Sequence, residues 1–75
     1  MRVHVECYSG GRADERPRAL VFGERWLSVL EVLDSWYGED HLYFKVVVEG
    51  GDRYIVRRDE DGAWSVQQFA TARQA

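Results

Sequence analysis

Between residues 41 and 69 the apolar and polar positions alternate as three strands joined by two tight turns. Val46-Val47-Val48 and Tyr54-Ile55-Val56 are dense in β-branched and aromatic residues, which suit a pleated, half-buried surface. Glu49-Gly50-Gly51-Asp52 lies between them. A two-residue Gly50-Gly51 loop takes positive φ at both positions, as a type I′ hairpin turn requires. Counting outward from that loop sets Val46 opposite Ile55, Val47 opposite Tyr54 and Lys45 opposite Val56. Asp59-Glu60-Asp61-Gly62 reads as the second turn, with Gly62 closing it in the left-handed region. It returns Trp64 near Arg57 and Val66 near Ile55.

Side chains alternate across a strand, so this pairing separates two faces. Phe44, Val46, Val48, Ile55, Trp64 and Val66 form the expected core face. Tyr43, Lys45, Val47, Tyr54, Val56, Arg58, Ser65 and Gln67 form the other. A slip of one residue exchanges the two faces.

The first eight residues alternate as well, with Val3, Val5 and Cys7 on one side and Arg2, His4, Glu6 and Tyr8 on the other. Residues 9–17 hold two glycines, a proline and several charges without periodicity, and read as a loop. Its length makes it either mobile or used. Residues 18–22 form a short strand with Leu20 and Phe22 on one side, followed by a turn at Gly23-Glu24. Residues 29–36 are ambiguous. Val29, Val32, Leu33 and Trp36 stand at helical spacing. The β-branched content and the preceding hairpin favour instead a long strand with a bulge near Leu30-Glu31. After a turn at residues 37–40 comes the central stretch, and residues 70–75 read as a frayed tail.

Five or six short strands at close spacing predict a mainly β fold, an SH3-like barrel or strongly twisted antiparallel sheet, over residues 1–69. The alternative is an α+β fold with one short helix at residues 29–36. Trp36 and Trp64 are expected in the core, and a surface Trp26 would mark an interface.

Composition narrows the function classes. Seventy-five residues make one domain. A chain this short buries only about 60% of its unfolded surface, too little for both a core and a deep catalytic cleft. The net charge of −3 argues against non-specific attraction to nucleic acid or anionic lipid, although nine of the ten basic residues are arginines. A single cysteine, Cys7, forms no internal disulfide and fits a reducing compartment. No apolar run reaches the ~20 residues of a membrane helix. These features predict a cytoplasmic protein.

One family pattern is similar to this chain. Arg16-Pro17, Leu20, Phe22, Arg25, Leu27, Val29, Val32-Leu33 and Trp36 resemble R-P-x-x-F-x-W-x-G-R-x-Y-x-V-x-x-V-L-x-x-W. Tyr54-Ile55-Val56-Arg57-Arg58-Asp59 and Trp64-Ser65-Val66 resemble the same pattern's Y-x-L-R-x-D and W-x-L. The pattern belongs to a small bacterial domain of unknown function. Gly23 stands two residues before Arg25 instead of next to it, and Leu27 replaces an aromatic. The resemblance implies no catalytic residue.

Four residues make the sharpest candidate site: Tyr43, Lys45, Tyr54 and Arg58. Aromatics on a sheet face stack bases and flanking cations hold phosphates, as on small barrels that bind single strands. The plainer reading is a second apolar patch whose tyrosine hydroxyls reach water. A protein contact fits the same mixture of aromatics and arginine. Arg12, Arg16 and Arg18 bring positive charge to the long loop, largely cancelled by Asp14 and Glu15.

Cys7, His4 and His41 do not make a metal site by spacing. Two of them share a strand with opposite parity, and zinc wants three or four ligands. Asp34, Glu39, Asp40 and His41 lack the nucleophile, oxyanion donor and pocket that catalysis requires. The expectation is therefore a non-enzymatic β module without cofactor that binds another protein or its own copy. Nucleic-acid binding through the aromatic and basic face is the alternative.

Overall fold

A computed structural model describes residues 2–7 and 16–71. Of the loop expected at residues 9–17, residues 9–15, with Arg12, lie outside the described residues, as does the tail beyond Thr71, while Pro17 is already strand. Six strands follow one another: β1 (Arg2–Cys7), β2 (Pro17–Phe22), β3 (Arg25–Gly38), β4 (His41–Val48), β5 (Arg53–Asp59) and β6 (Trp64–Ala70). Each pairs antiparallel with the next, and β6 returns to β1 to close a barrel. Ala70, expected in the tail, is the last residue of β6.

The barrel prediction holds, and the helix alternative falls. Residues 29–36 lie within β3, the longest strand at 14 residues. Its register against β4 steps at Leu30 and again at Leu33, so each of these residues is an extra one. Each step lengthens the alternation from two residues to three. Val29, Val32 and Ser35 therefore share a face and imitate the spacing of a helix, although the backbone is extended throughout. The bulge near Leu30 was expected from the sequence; the second one was not.

The β4–β5 turn corrects the expected pairing. The Gly51 N–H donates to the Val48 carbonyl at 2.8 Å, and the Val48 N–H donates to the Asp52 carbonyl at 2.9 Å. The loop is thus Glu49-Gly50-Gly51, three residues instead of two. Gly50 and Gly51 have φ of 90° and 94°, whereas Glu49 is not in the positive-φ region. Of the two central residues of the Val48-to-Gly51 turn, only the second, Gly50, has positive φ, which is the type II pattern, not type I′. The odd loop length shifts β5 by one residue and reverses its parity. Val46 now faces Tyr54, Phe44 faces Val56 and Lys45 faces Ile55. Val56, expected outside, is fully buried, and Ile55, expected in the core, points outward with Lys45.

The core is small. Val5, Ala19, Leu20, Phe44, Val46, Val48 and Val56 are buried, and Val3, Cys7, Leu27, Val29, Val32, Tyr54, Trp64 and Val66 pack around them. Burying a Val, Leu or Phe side chain is worth about 1.5–3 kcal/mol, so few residues carry most of the stability. Trp64 lies 5.9 Å from Phe44, as expected of a core aromatic. Trp36 does not join it and is exposed.

β3 divides its partners. Residues 25–28 pair with β2, and residues 29–38 pair with β4. The change of partner is pinned by Glu49, whose carboxylate accepts the Ser28 N–H at 2.8 Å while its own N–H donates to the Ser28 carbonyl at 2.8 Å. Beyond Ser28 the other edge of β3 meets no strand among the described residues. The near part of that edge, at Leu30, Glu31 and Val32, borders a hollow shared with Arg16 and Pro17.

Candidate interaction surface

Directly opposed residues in antiparallel strands share a face. The register therefore builds the outer surface of the β3–β4 hairpin row by row. Asp34, Lys45 and Ile55 form one row; Trp36, Tyr43 and Arg57 form the next; Gly38, His41 and Asp59 form the last.

The middle row is an aromatic plate. Trp36 and Tyr43 stack with centroids 5.3 Å apart and planes 5° from parallel. His41 meets Tyr43 edge-on at 6.3 Å and 81°. Gly38 makes room for this arrangement, because a Cβ there would lie 2.9 Å from the Tyr43 ring. Trp36 has no second ring against it among the described residues.

Beside the plate, one carboxylate oxygen lies against both an arginine and a histidine. Asp59 Oδ1 lies 2.9 Å from Arg57 Nε and 3.1 Å from His41 Nδ1. These are ion-pair distances without aligned hydrogen-bond geometry, and all three atoms are sealed from solvent. The side chains remain about a third exposed at their outer ends. The cluster ties β4 to β5 at the end of the barrel and fixes His41 against Tyr43.

Only half of the predicted site stands together. Tyr43 and Lys45 lie on this outer surface. Tyr54 and Arg58 have the opposite parity, a consequence of the three-residue turn. Tyr54 packs on the core between Phe22 at 5.6 Å and Phe69 at 4.9 Å. Its phenol pKa is raised above 10.0, chiefly by burial and further by Asp52, against an opposing effect of Arg25. Arg58 stands opposite Leu42 and Trp64. No continuous four-residue platform exists.

The structure adds what the predicted site lacked. Trp36, expected inside, supplies the plate's exposed member. Arg57 and Asp59 replace Arg58 as the charged neighbours of Tyr43. A three-residue count for the glycine turn would have revealed Arg57 and Asp59; the place of Trp36 depends instead on the register of β3 against β4.

His41 and Asp34, two of the four residues weighed above for catalysis, are separated by the Trp36–Tyr43 row, and the carboxylate beside His41 is Asp59. His4 pairs with Glu6 at 2.6 Å on the outside of β1, and Cys7 packs at the edge of the core. Among the described residues no three His, Cys, Asp or Glu side chains are grouped to hold a metal ion.

Exposed apolar side chains concentrate on the same hairpin. Trp26, Leu30, Leu33, Trp36 and Tyr37 all lie on β3, at 48%, 65%, 40%, 37% and 78% exposure; among the described residues, Phe69 on β6 is the remaining large one. No family model, curated protein or solved structure matches the chain.

Proposed function

We propose that this chain is a non-enzymatic interaction module that binds a polypeptide along the free edge and outer surface of the β3–β4 hairpin. One observation carries the reading: among the described residues, five of the six exposed large hydrophobic side chains lie on β3, four of them within residues 29–38, a stretch with a neighbouring strand on one side only. Unpaired N–H and C=O groups accept an added strand, and flanking apolar side chains select it. Apolar residues gathered on one element, with acids around them, fit a contact surface better than chance exposure. Asp34 in the row beside the plate and Glu39 and Asp40 in the turn that closes the hairpin favour a polypeptide over a nucleic acid. The inward turn of Tyr54 and Arg58 weighs in the same direction.

Selection from a displayed random-peptide library tests this reading, with the wild type and the Trp36→Lys variant as parallel targets. The expected result is peptides that bind only the wild type and shift amide resonances of β3. Peptides that bind both proteins equally, or that shift no β3 resonance, would overturn it. Salt-sensitive shifts at Tyr43 and Lys45 on adding a single-stranded oligonucleotide would replace it with the nucleic-acid alternative.

A further inference from the structure

The free edge of β3 is not uniform. Leu30 and Leu33 are extra residues, and bulges of this kind twist an edge and interrupt its ladder. From residue 34 to residue 38 the register is unbroken, each residue opposed in turn by one from Lys45 to His41. Five consecutive regular residues, with no strand on one side among the described residues, therefore end the hairpin. Trp36 is the middle one.

We propose that this segment pairs with its own counterpart in a second copy of the chain, antiparallel, with the two-fold axis passing through Trp36. The inference rests on the reading of β3 as the contact surface and names its partner. The geometry leaves few choices. A symmetric pair of antiparallel edge strands has its axis perpendicular to the sheet, and opposed residues point to the same side. The axis must then pass through a residue, so that outer positions 34, 36 and 38 meet only outer positions.

An axis through Asp34 sets the two Asp34 carboxylates against each other. An axis through Tyr37 sets Asp34 against Asp40, which lies in the turn at a φ of 63°. An axis through Ser35 runs the pairing into the Leu33 bulge and lays Asp34 on Trp36. Only the axis through Trp36 uses all five regular residues without opposing two acids. Asp34 then faces Gly38 of the second copy, which has no side chain to obstruct it, and Ser35 faces Tyr37.

This register also completes the aromatic plate. Trp36 faces Trp36 across the axis at cross-strand distance, with Tyr43 stacked on the far side of each. One row of four rings crosses the joint. The sheet continues from β5 and β4 of one copy, through both β3 strands, to β4 and β5 of the other. Tyr37, the most exposed large apolar residue, gains a neighbour on the opposite face. For a barrel with so small a core, such pairing enlarges the buried apolar surface of both copies.

Sedimentation of the full chain up to about 1 mM tests this, because millimolar dissociation constants are the weak limit of specific pairing. Two double variants identify the register. Ser35→Lys with Tyr37→Lys sets like charges opposite each other at two symmetric places. Ser35→Lys with Tyr37→Glu sets opposite charges there. Both positions are exposed, and a thermal melt of each variant checks that the barrel persists.

The wild type is expected to form dimers, and the lysine–glutamate variant to dimerise at least about tenfold more tightly than the double-lysine one. In a register centred on Ser35 both variants place lysine against lysine, so no such difference arises. A single species of 8.7 kDa throughout, or dimers with no difference between the variants, would overturn the proposal. A monomer that still selects peptides on β3 removes only the self-pairing; loss of peptide selection as well removes the interaction reading itself.

Discussion

β4 and the far half of β3 lie side by side, are comparably rich in apolar residues, and meet opposite fates. β4 has a strand on each side, and Phe44, Val46 and Val48 along it are buried at 5%, 0% and 0% exposure. Residues 29–38 of β3 have, among the described residues, a strand on one side only, and Leu30, Leu33, Trp36 and Tyr37 remain exposed. Both segments obey the same local preference for extended structure. What separates them is position. β4 has its inward residues covered from across the core, whereas β3 beyond Ser28 keeps only Val29 and Val32 packed on the core and leaves Leu30 and Leu33 at its bulges, Trp36 on its outer side and Tyr37 on its inner side exposed. Hydrophobic character made both into strands; closure of the barrel made one into core and left the other as a surface for contact.

The widest separation between the two regions should appear on truncating a leucine in each. Leu20 is fully buried, and Leu20→Ala should destabilise the protein by about 3 kcal/mol, the usual cost of lost transfer energy plus a cavity. Leu33→Ala should change stability by no more than about 0.5 kcal/mol in dilute monomer, as exposed substitutions do. Urea unfolding of both variants measures this, and similar losses would break the division.

A carboxylate from each region sharpens it next. Asp59→Ala leaves Arg57 Nε and His41 Nδ1 sealed beside an empty position, which should cost about 1–2 kcal/mol. Asp34→Ala removes an exposed neighbour of Lys45 and should cost under about 1 kcal/mol. Calorimetric melting of the two variants gives the comparison, and equal losses would show that the Asp59 cluster is merely a surface pair.

The smallest effect marks how far the covered half reaches toward Tyr54. Its phenol loses its proton at higher pH in the folded protein than the reference value of 10.0. Above that value the unfolded chain releases the proton first, so this residue's contribution to stability falls as pH rises toward the folded pKa. Below it the two states bind the proton alike and nothing is lost. Urea midpoints of wild type and Tyr54→Phe, taken at neutral pH and above pH 10.0, should show a steeper alkaline decline for the wild type. Parallel declines would place Tyr54 in solvent and return it to the outer surface.

Much of the fold was legible in the residues themselves. The strands of the central stretch, the turn closed by Gly62 and the inward face of β4 follow from alternation and turn chemistry. Gly62 adopts a φ of 91°, and Asp61 Oδ1 accepts the Ala63 N–H at 3.0 Å, as a turn of that composition favours. The candidate site was legible only in part. Tyr43 and Lys45 belong to β4, whose face was read correctly, and they stand where expected. Tyr54 and Arg58 belong to β5, whose face depends on whether the glycine loop holds two residues or three. Gly50-Gly51 is compatible with either count, because glycine accepts positive φ in both turns.

The amino-acid sequence by itself determined that this chain would be built of short antiparallel strands, because periodicity and turn residues act locally and need no partner to be read. Only the tertiary structure decided which sides of those strands would be covered. Loop parity at Glu49-Gly50-Gly51 turned Val56 and Tyr54 inward and Ile55 outward. β3 runs ten residues beyond its last pair with β2, so that Trp36, expected in the core, came to lie exposed beside an edge that meets no strand among the described residues. Burial is a relation between segments distant in the chain, and it exists only once their register is set.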